Sequence, residues 1–543
     1  MKDTVPELRG GVLDEDPVTF EVVKSAMYAI CGEMKSVIMR TSFSPLLSLS
    51  ADLSCAILDS QCNVIAQGVD IPVHLGAARF TGLAALARFP QETWQEGDGV
   101  LLNDPYEGGT HLPDMSLLTP IFSESLLVGF VLSRIHWPDI GGIAAGSSSV
   151  CDEILKEGLR IPPVKILEQG VVREDVLRLI LANVRVPADR KGDFQAALAG
   201  HRRATERLLQ LCGRYGAHTV TRIMDDTQRY SQRLVHAKLS GLPDAEVEHQ
   251  ETLDGDGVTE GSAPCIKVHI TKQGARLLFD FTGTDRCVAG PINAPLPVTA
   301  SAVYYTVLSF LGGDVAPNSG VYQSVEIVAP EGSLVNAIYP YPVVAANTET
   351  ANRLVDLLMA ALAKAFPERA AAGSYGSACV YTMGGHDARR DRAFVHYETI
   401  GGGMGATAQG PGASGLRVHM GNTMNLPIEG MEANLPVRFI NYEIVRGSGG
   451  AGRNAGGHGV RKTLEVLSGP VQVSVLGERT HSAAKGIGDA QDGQLACFRL
   501  HTGDTVRSLE AKSGPHRLQT GDRLEMVTAG GGGWSPNTTT KGV

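Results

Sequence analysis

Two apolar runs of strand length, "GDGVLLND" and "DMSLLTPIF", stand on either side of one polar loop, and a third, "LLVGFVLSRIHW", follows at once. Short apolar runs bounded by turn residues read as strands. A chain built this way folds these runs into a sheet with the loop at one end of it. Upstream, "DLSCAILD" and "NVIAQG" form a hairpin signature around "SQC". "DPVTFEVVKSAMYAICGEMKSVIMRTS" carries apolar residues at helical spacing behind an Asp-Pro start, which suits a helix N-terminus. A helix of small residues is expected from about Gly76 to Phe89.

At 543 residues the chain exceeds one hydrophobic core, and roughly three to four units of about 150 residues are expected. The pattern predicts a mixed α/β (α+β), multidomain protein. Residues 1–165 read as an α/β unit and 166–245 as a helical segment, typified by "DFQAALAGHRRATERLLQLCGRYGAHTVTRIMDD". Residues 246–437 read as a mixed α/β unit, opening on "IKVHITKQGARLLFDFTGT" and holding helices near 297–311 and 350–366. Residues 438–543 read as β-rich with frequent Gly turns. No repeat or low-complexity linker separates these units, so they are expected to pack closely.

The formal charge of -10 and the absence of any Lys/Arg run exclude a nucleic-acid face. No apolar stretch approaches the roughly 18 residues of a membrane span, and "MKDTVPELRGG" lacks the apolar segment of a secretory signal. The nine cysteines are odd in number and contain no C-x-x-C pair, which argues against a disulfide scaffold. These features predict a reduced, acidic, cytoplasmic protein.

The opening loop, "NDPYEGGTHLPDM", concentrates ligand chemistry. His111 and Asp114 stand three apart among glycines that let backbone approach an ion. His136 ends the next strand, and a strand-turn-strand return places such residues side by side. Asp52 stands at the start of the "DLSC" strand. Two imidazoles and two carboxylates suit a divalent transition metal, Zn or Mn; the same Asp beside Pro and Gly also shapes turns. His74 in "IPVHLG" reads either as a catalyst or as a core or capping histidine. Asp139, three residues after His136, is placed to orient a ligand imidazole or relay a proton, or to make the turn in "WPDIGG".

The glycine-rich "GSGGAGRNAGGHGVRKT" does not fit a phosphate loop, because Val460-Arg461 rather than Gly precedes Lys462-Thr463. A structural loop permitting tight strand crossing is expected. "GGGMGATAQGPGASG" reads the same way, with a lid or a subunit contact as the alternative. If the reaction needs ATP, this chain is not expected to bind it.

"NDPYEGGTHLPDM", "HWPDIGG", "EGLRIPPVK", "DFTGT", "GPINAP", "HMGNTMN", "GSGGAGRNAGGHGV" and "AGGGGW" resemble, in order, segments of the hydantoinase B/oxoprolinase family, over about residues 16–536. That family comprises second subunits of ATP-dependent hydantoinases and lactamases, the C-terminal half of 5-oxoprolinases, and subunits of ATP-dependent ketone carboxylases. The resemblance implies a metal centre whose ligands fall on Asp52, His111, Asp114 and His136. It also implies a hetero-oligomer with a hydantoinase A-type subunit that carries ATP and Mg. The implied function is hydrolysis of a small cyclic amide activated by phosphorylation on that partner. Asn103, Tyr106, His419 and Asn422 lie in family-like motifs as candidate substrate contacts, beside Asp139 and His74 as candidate catalytic groups. The alternatives are a ketone carboxylase subunit and a non-catalytic scaffold for the ATPase subunit. One departure stands out: many members carry an acid three positions before the Asp of "DLSC", where this chain has Leu49.

Overall fold

The computed structural model describes residues 11–536, so the reading of the first ten residues lies outside the described residues. The first long helix, Pro17–Thr41, begins as its sequence predicts. The Asp16 carboxylate accepts from the Thr19 amide at 3.0 Å, and Pro17 occupies the first turn, where no donor is needed. Phe20, Val23, Met27, Ile30, Met34 and Ile38 form its buried face.

That face lies on a seven-stranded antiparallel sheet. The strands are β1 (Leu53–Asp59), β2 (Val64–Gln67), β3 (Gly99–Leu102), β4 (Asp114–Ser123), β5 (Leu126–His136), β6 (Val164–Glu168) and β7 (Val171–Val172), in the order β2-β1-β5-β4-β3-β6-β7. Period-two alternation serves two cores at once. Leu53, Cys55 and Ile57 of β1 join the core under helix 17–41. Ala56 and Leu58 turn the other way, toward Ala78 and Ala85 of helix Pro72–Arg88.

The helical segment, Glu174–Leu181, Pro187–Tyr215 and Ala217–Ser240, does not stand apart from the first unit. Phe194, Ala197, Leu208 and Ile223 enter the same core as helix 17–41, and β6 runs across the expected break at 165/166. Amphipathic helices need an apolar surface to cover, and the sheet supplies it.

Three further sheets follow. β8 (Ala245–Thr252), β9 (Cys265–Gln273), β10 (Arg276–Asp280) and β11 (Val325–Val328) form one sheet in the order β11-β10-β9-β8. Ile266, Val268, Ile270, Leu277 and Phe279 of this sheet share a core with helices Leu296–Leu311 and Ala351–Ala363. β12 (Val380–Asp387) and β13 (Arg392–Thr399) do not stay within the expected 246–437 unit. β12 pairs with the late strand β16 (Val471–Leu476), which pairs in turn with β19 (Lys512–Leu518), so the sheet β13-β12-β16-β19 crosses the 437/438 division. The last sheet runs β14-β15-β20-β17-β18, with β14 at Val437–Ile444, β15 at Val460–Val466, β17 at Cys497–Thr502, β18 at Thr505–Leu509 and β20 at Arg523–Val527.

The glycine runs hold this region together by backbone contact. Gly403 donates to the Ala529 carbonyl at 3.0 Å, Gly457 to Met404 at 2.8 Å and Gly531 to Gly457 at 2.9 Å. A Cβ on Gly457 would lie 1.8 Å from the Ala413 carbonyl oxygen, so no other residue fits. The nine cysteines are all free and six are buried. No helix among the described residues is long and apolar enough to cross a membrane.

Candidate metal centre and its cleft

Antiparallel register sets the geometry of the site. Asp114, the first residue of β4, is the direct cross-strand partner of His136, the last residue of β5. Such partners hold their Cβ atoms about 4.5–5.5 Å apart. Leu53 pairs with Ile135, and the His136 amide donates to the Asp52 carbonyl at 3.1 Å. Asp52, Asp114 and His136 thus stand in a row at one end of three neighbouring strands. His111 joins them from the turn before β4, where its carbonyl accepts from the Asp114 amide at 3.1 Å.

All four are buried. One donor atom from each of His111, Asp114 and His136 lies within 4.8 Å of the others, the one such trio among the described residues. Asp52 stands outside that trio and lines the cleft above it, with His74 and His136.

The hydrogen bonds assign the protons. Ser54 Oγ accepts from the Ile71 amide at 3.2 Å, so its own proton is available to His74 Nδ1, 3.0 Å away. The ring proton of His74 then sits on Nε2, which faces Asp114 Oδ2 at 3.2 Å. His74 therefore orients Asp114. His111 Nδ1 faces the Val344 carbonyl at 3.3 Å, and a carbonyl only accepts. That leaves the Nε2 lone pair of His111 directed toward Asp114 Oδ1, 3.2 Å away. Asn347 Nδ2 sits 3.2 Å from His111 Nε2 and 3.3 Å from Asp114 Oδ2.

Asp114 Oδ1 and both ring nitrogens of His136 have no hydrogen-bond partner. Leaving a buried polar group unsatisfied costs about 1–3 kcal/mol. Burial opposes charge on Asp114, but His111 and His74 hold its carboxyl well below the usual range. Burial also opposes charge on His111, yet the Asp114 carboxylate raises its pKa above the ordinary value. Burial and repulsion from His111 push His136 well below the usual imidazole range, so it keeps its lone pair. Two imidazole nitrogens, a carboxylate oxygen and the uncompensated atoms of Asp114 and His136 make a donor set that fits a divalent transition metal.

Burial pushes Asp52 up to about 6, although the neighbouring histidines work against it. The cleft above is narrow, with about 40 Å³ free for water-sized groups. Its far wall comes from distant sequence. A π-helical turn, Ala346–Thr350, delivers Asn347; such turns insert an extra residue and occur often at functional sites. Tyr397 of β13 lays its ring over His136, with centroids 4.3 Å apart. Arg417 completes this wall.

The other residues singled out in the sequence go elsewhere. Asp139 accepts from the Arg185 amide and guanidinium, each at 2.7 Å, and makes no hydrogen bond to His136. Asn103 spends its side chain on backbone: it donates to Leu112 at 2.7 Å and Leu159 at 3.0 Å, and accepts from Ile161 at 2.7 Å. The Tyr106 hydroxyl donates to the Tyr341 carbonyl. His419 Nε2 pairs with Asp356 at 3.0 Å, and Asn422 donates to the Asp70 carbonyl at 3.0 Å. Leu49 is 46% exposed and borders a separate apolar cleft with Pro45 and Leu426, away from the trio. Asn347, Tyr397 and Arg417 carry no local signal that sequence reading could have used, apart from Arg417 preceding "HMGNTMN" by two residues.

Comparison with known proteins places this geometry. The chain is 32% identical to the caprolactamase subunit beta of Pseudomonas jessenii, over 96% of this chain and 90% of that one. The crystal structure of that ATP-dependent caprolactamase superimposes with a TM-score of 0.89 at 29% identity, covering 96% of this chain and 91% of that one. The 5-oxoprolinase 1 of Arabidopsis thaliana is 31% identical over 96% of this chain, which spans 42% of that longer protein. An acetone carboxylase shares the fold alone, with a TM-score of 0.87 at 17% identity, over 96% of this chain and 76% of that one. Residues 16–537 match the hydantoinase B/oxoprolinase family, and the chain belongs to that family.

Proposed function

We propose that this chain is the metal-holding, hydrolytic subunit of an ATP-dependent cyclic amidase that acts on a hydantoin, lactam or 5-oxoproline type of ring. The observation that carries this reading is the buried trio of His111, Asp114 and His136, with Asp114 Oδ1 unpartnered and the equally unpartnered His136 ring lining a cleft. The names of the relatives, a lactamase subunit and a 5-oxoprolinase, favour a cyclic amide. A subunit called beta also favours a partner, here an A-type subunit carrying ATP and Mg.

An unstrained lactam resists hydrolysis because amide resonance weakens its carbonyl as an electrophile. In this proposal the partner phosphorylates the carbonyl oxygen and the activated ring enters the cleft above His136. A divalent ion such as Zn or Mn, held by His111, Asp114 and His136 with Asp52 beside them, would supply Lewis-acid polarisation or a water made nucleophilic near neutral pH. The chain's own groups do the rest. His74, fixed by Ser54, holds Asp114 in place. Asp52, in the wall of the cleft beside the trio, is placed to accept a proton from a water or the ring. Tyr397 covers the His136 ring and narrows access for water.

Elemental analysis of the wild type and of His136→Ala tests the metal. About one transition metal per chain, lost in the variant, is expected. Ring opening is then assayed with an A-type partner, ATP and the lactam, hydantoin and 5-oxoproline panel, with and without bicarbonate. Bicarbonate-independent ring opening is the expected result. Bicarbonate-dependent consumption of a ketone would replace hydrolysis with carboxylation, and a metal-free wild type would overturn the mechanism.

A further inference from the structure

Arg417 lies in the segment between β13 and the short helix Ile428–Asn434, and is half-buried in the wall of the cleft. Its Nε donates to Thr399 Oγ1 at 2.6 Å and one Nη to Asn425 Oδ1 at 2.7 Å. The other Nη donates to the Thr399 carbonyl. All three acceptors are neutral. Arg353, Arg438 and Arg479 each face a carboxylate within 2.8 Å, whereas no such ion pair forms at Arg417 among the described residues. Two of its five N–H groups also remain unused by these bonds.

A cation held by neutral struts is an unbalanced charge at the edge of a reaction cleft. The guanidinium fork matches the planar oxygens of a carboxylate and the oxygens of a phosphoryl group. Because Thr399 and Asn425 fix the fork in advance, little side-chain freedom is lost on binding. An incoming anion displaces no salt bridge.

We propose that Arg417 anchors an anionic oxygen group of the substrate, either a carboxylate on the ring or the phosphoryl group of the activated amide. This rests on the amidase reading of the same cleft and names the group of this chain that would hold the substrate's anionic oxygens.

Calorimetric titration of the full chain tests it without turnover. The ligands are 5-oxoproline and 6-oxopiperidine-2-carboxylate, their uncharged parents 2-pyrrolidinone and 2-piperidone, and inorganic phosphate. In Arg417→Met the affinity ratio of an anionic ligand to its uncharged parent is expected to fall roughly ten- to a hundredfold. In Arg417→Lys it is expected to fall less, because the charge remains. Dependence confined to the carboxylates identifies a ring carboxylate, and dependence confined to phosphate identifies the phosphoryl group. If both variants weaken charged and uncharged ligands alike, Arg417 is only a strut between Thr399 and Asn425, and the proposal falls. It falls equally if no anion binds the wild type more tightly than Arg417→Met. Ring opening of the uncharged lactams with the partner is read separately. Its absence would count against the amidase reading while the binding ratios still decide the role of Arg417.

Discussion

Two buried polar clusters in this fold are wired in opposite ways. Around helix Ala351–Ala363, Arg353 reaches Glu478 at 2.7 Å and Glu251 at 2.8 Å. Arg479 reaches Asp356 at 2.6 Å, and Lys512 closes on Glu478. Each ion there faces an opposite charge, and only the Nε atoms of Arg353 and Arg479 lack a partner. At the ends of β4 and β5 the His136 imidazole has no polar partner and Asp114 Oδ1 has none either. A cluster that satisfies itself holds the domains together; a cluster left open needs something from outside. Burial alone therefore does not separate structure from function, and the hydrogen-bond account does.

The comparison breaks most visibly in a pair of variants. His136→Phe keeps a ring against Tyr397 and removes the nitrogens. It is expected to lose the bound metal and to cut partner-dependent turnover by roughly 10²–10³-fold or more. The metal-free protein should meanwhile gain about 1–3 kcal/mol, because the unpartnered ring nitrogens of His136 are gone while Asp114 Oδ1 stays as it was. Arg353→Met should do the reverse, keeping its metal and losing about 3–5 kcal/mol, since Glu478 then keeps only Lys512 and Glu251 only the longer contact to Arg479. Denaturant unfolding and elemental analysis on the same samples decide both. Equal stability losses in the two variants would erase the distinction.

The glycine seam gives the next largest effect. Gly457→Ala forces a Cβ to 1.8 Å from the Ala413 oxygen, and backbone displacement of this kind costs about 1–3 kcal/mol or more. Metal content should not change. A stable Gly457→Ala with altered activity would instead mark the loop as a lid.

Asn347→Ala sharpens the open side of the comparison. Removing the amide that faces His111 and Asp114 should weaken metal affinity about 10–100-fold in a chelator competition, with little change in the metal-free melting curve.

A pH-dependent effect concerns a lone buried acid. Glu157 accepts from the Val343 and Val344 amides at 2.7 and 2.8 Å, and burial pushes its carboxyl up to about 8 from the usual 4.5. The folded state thus keeps a proton that the unfolded chain releases between those values. Stability from this group is full below pH 4.5 and is lost as pH rises toward 8, by up to about 1.4 kcal/mol per pH unit. Glu157→Gln should remove that slope, and an unchanged slope would show that Glu157 does not titrate there.

Legibility followed sequence distance. The loop "GGTHLPDM" and the strand end "RIHW" announced His111, Asp114 and His136, because a β-hairpin of neighbouring strands fixes their pairing locally. Asp52 was legible as a residue at the same strand end, and the structure sets it beside the trio rather than within it. His74 read as a catalyst or a core or capping histidine, and the structure sets it between Ser54 and Asp114. Asn103 and Tyr106 stand in polar, family-like motifs, yet their polar groups are used up on backbone. His419 sits in such a motif too and is drawn into the Asp356 cluster.

The sequence by itself determined the local periodicities, and through them the helices, the strands and the pairing that sets Asp114 against His136. It also determined that the glycine runs had to lie in close backbone contact, since so many positions lack a side chain. Only the tertiary structure decided which backbone they touch, that β12 and β13 join the late strands, and that Asn347, Tyr397 and Arg417 face the trio across more than two hundred residues of chain. Local pairing follows from neighbouring residues. The far wall of the cleft depends on contacts whose geometry exists only once separate cores have packed together.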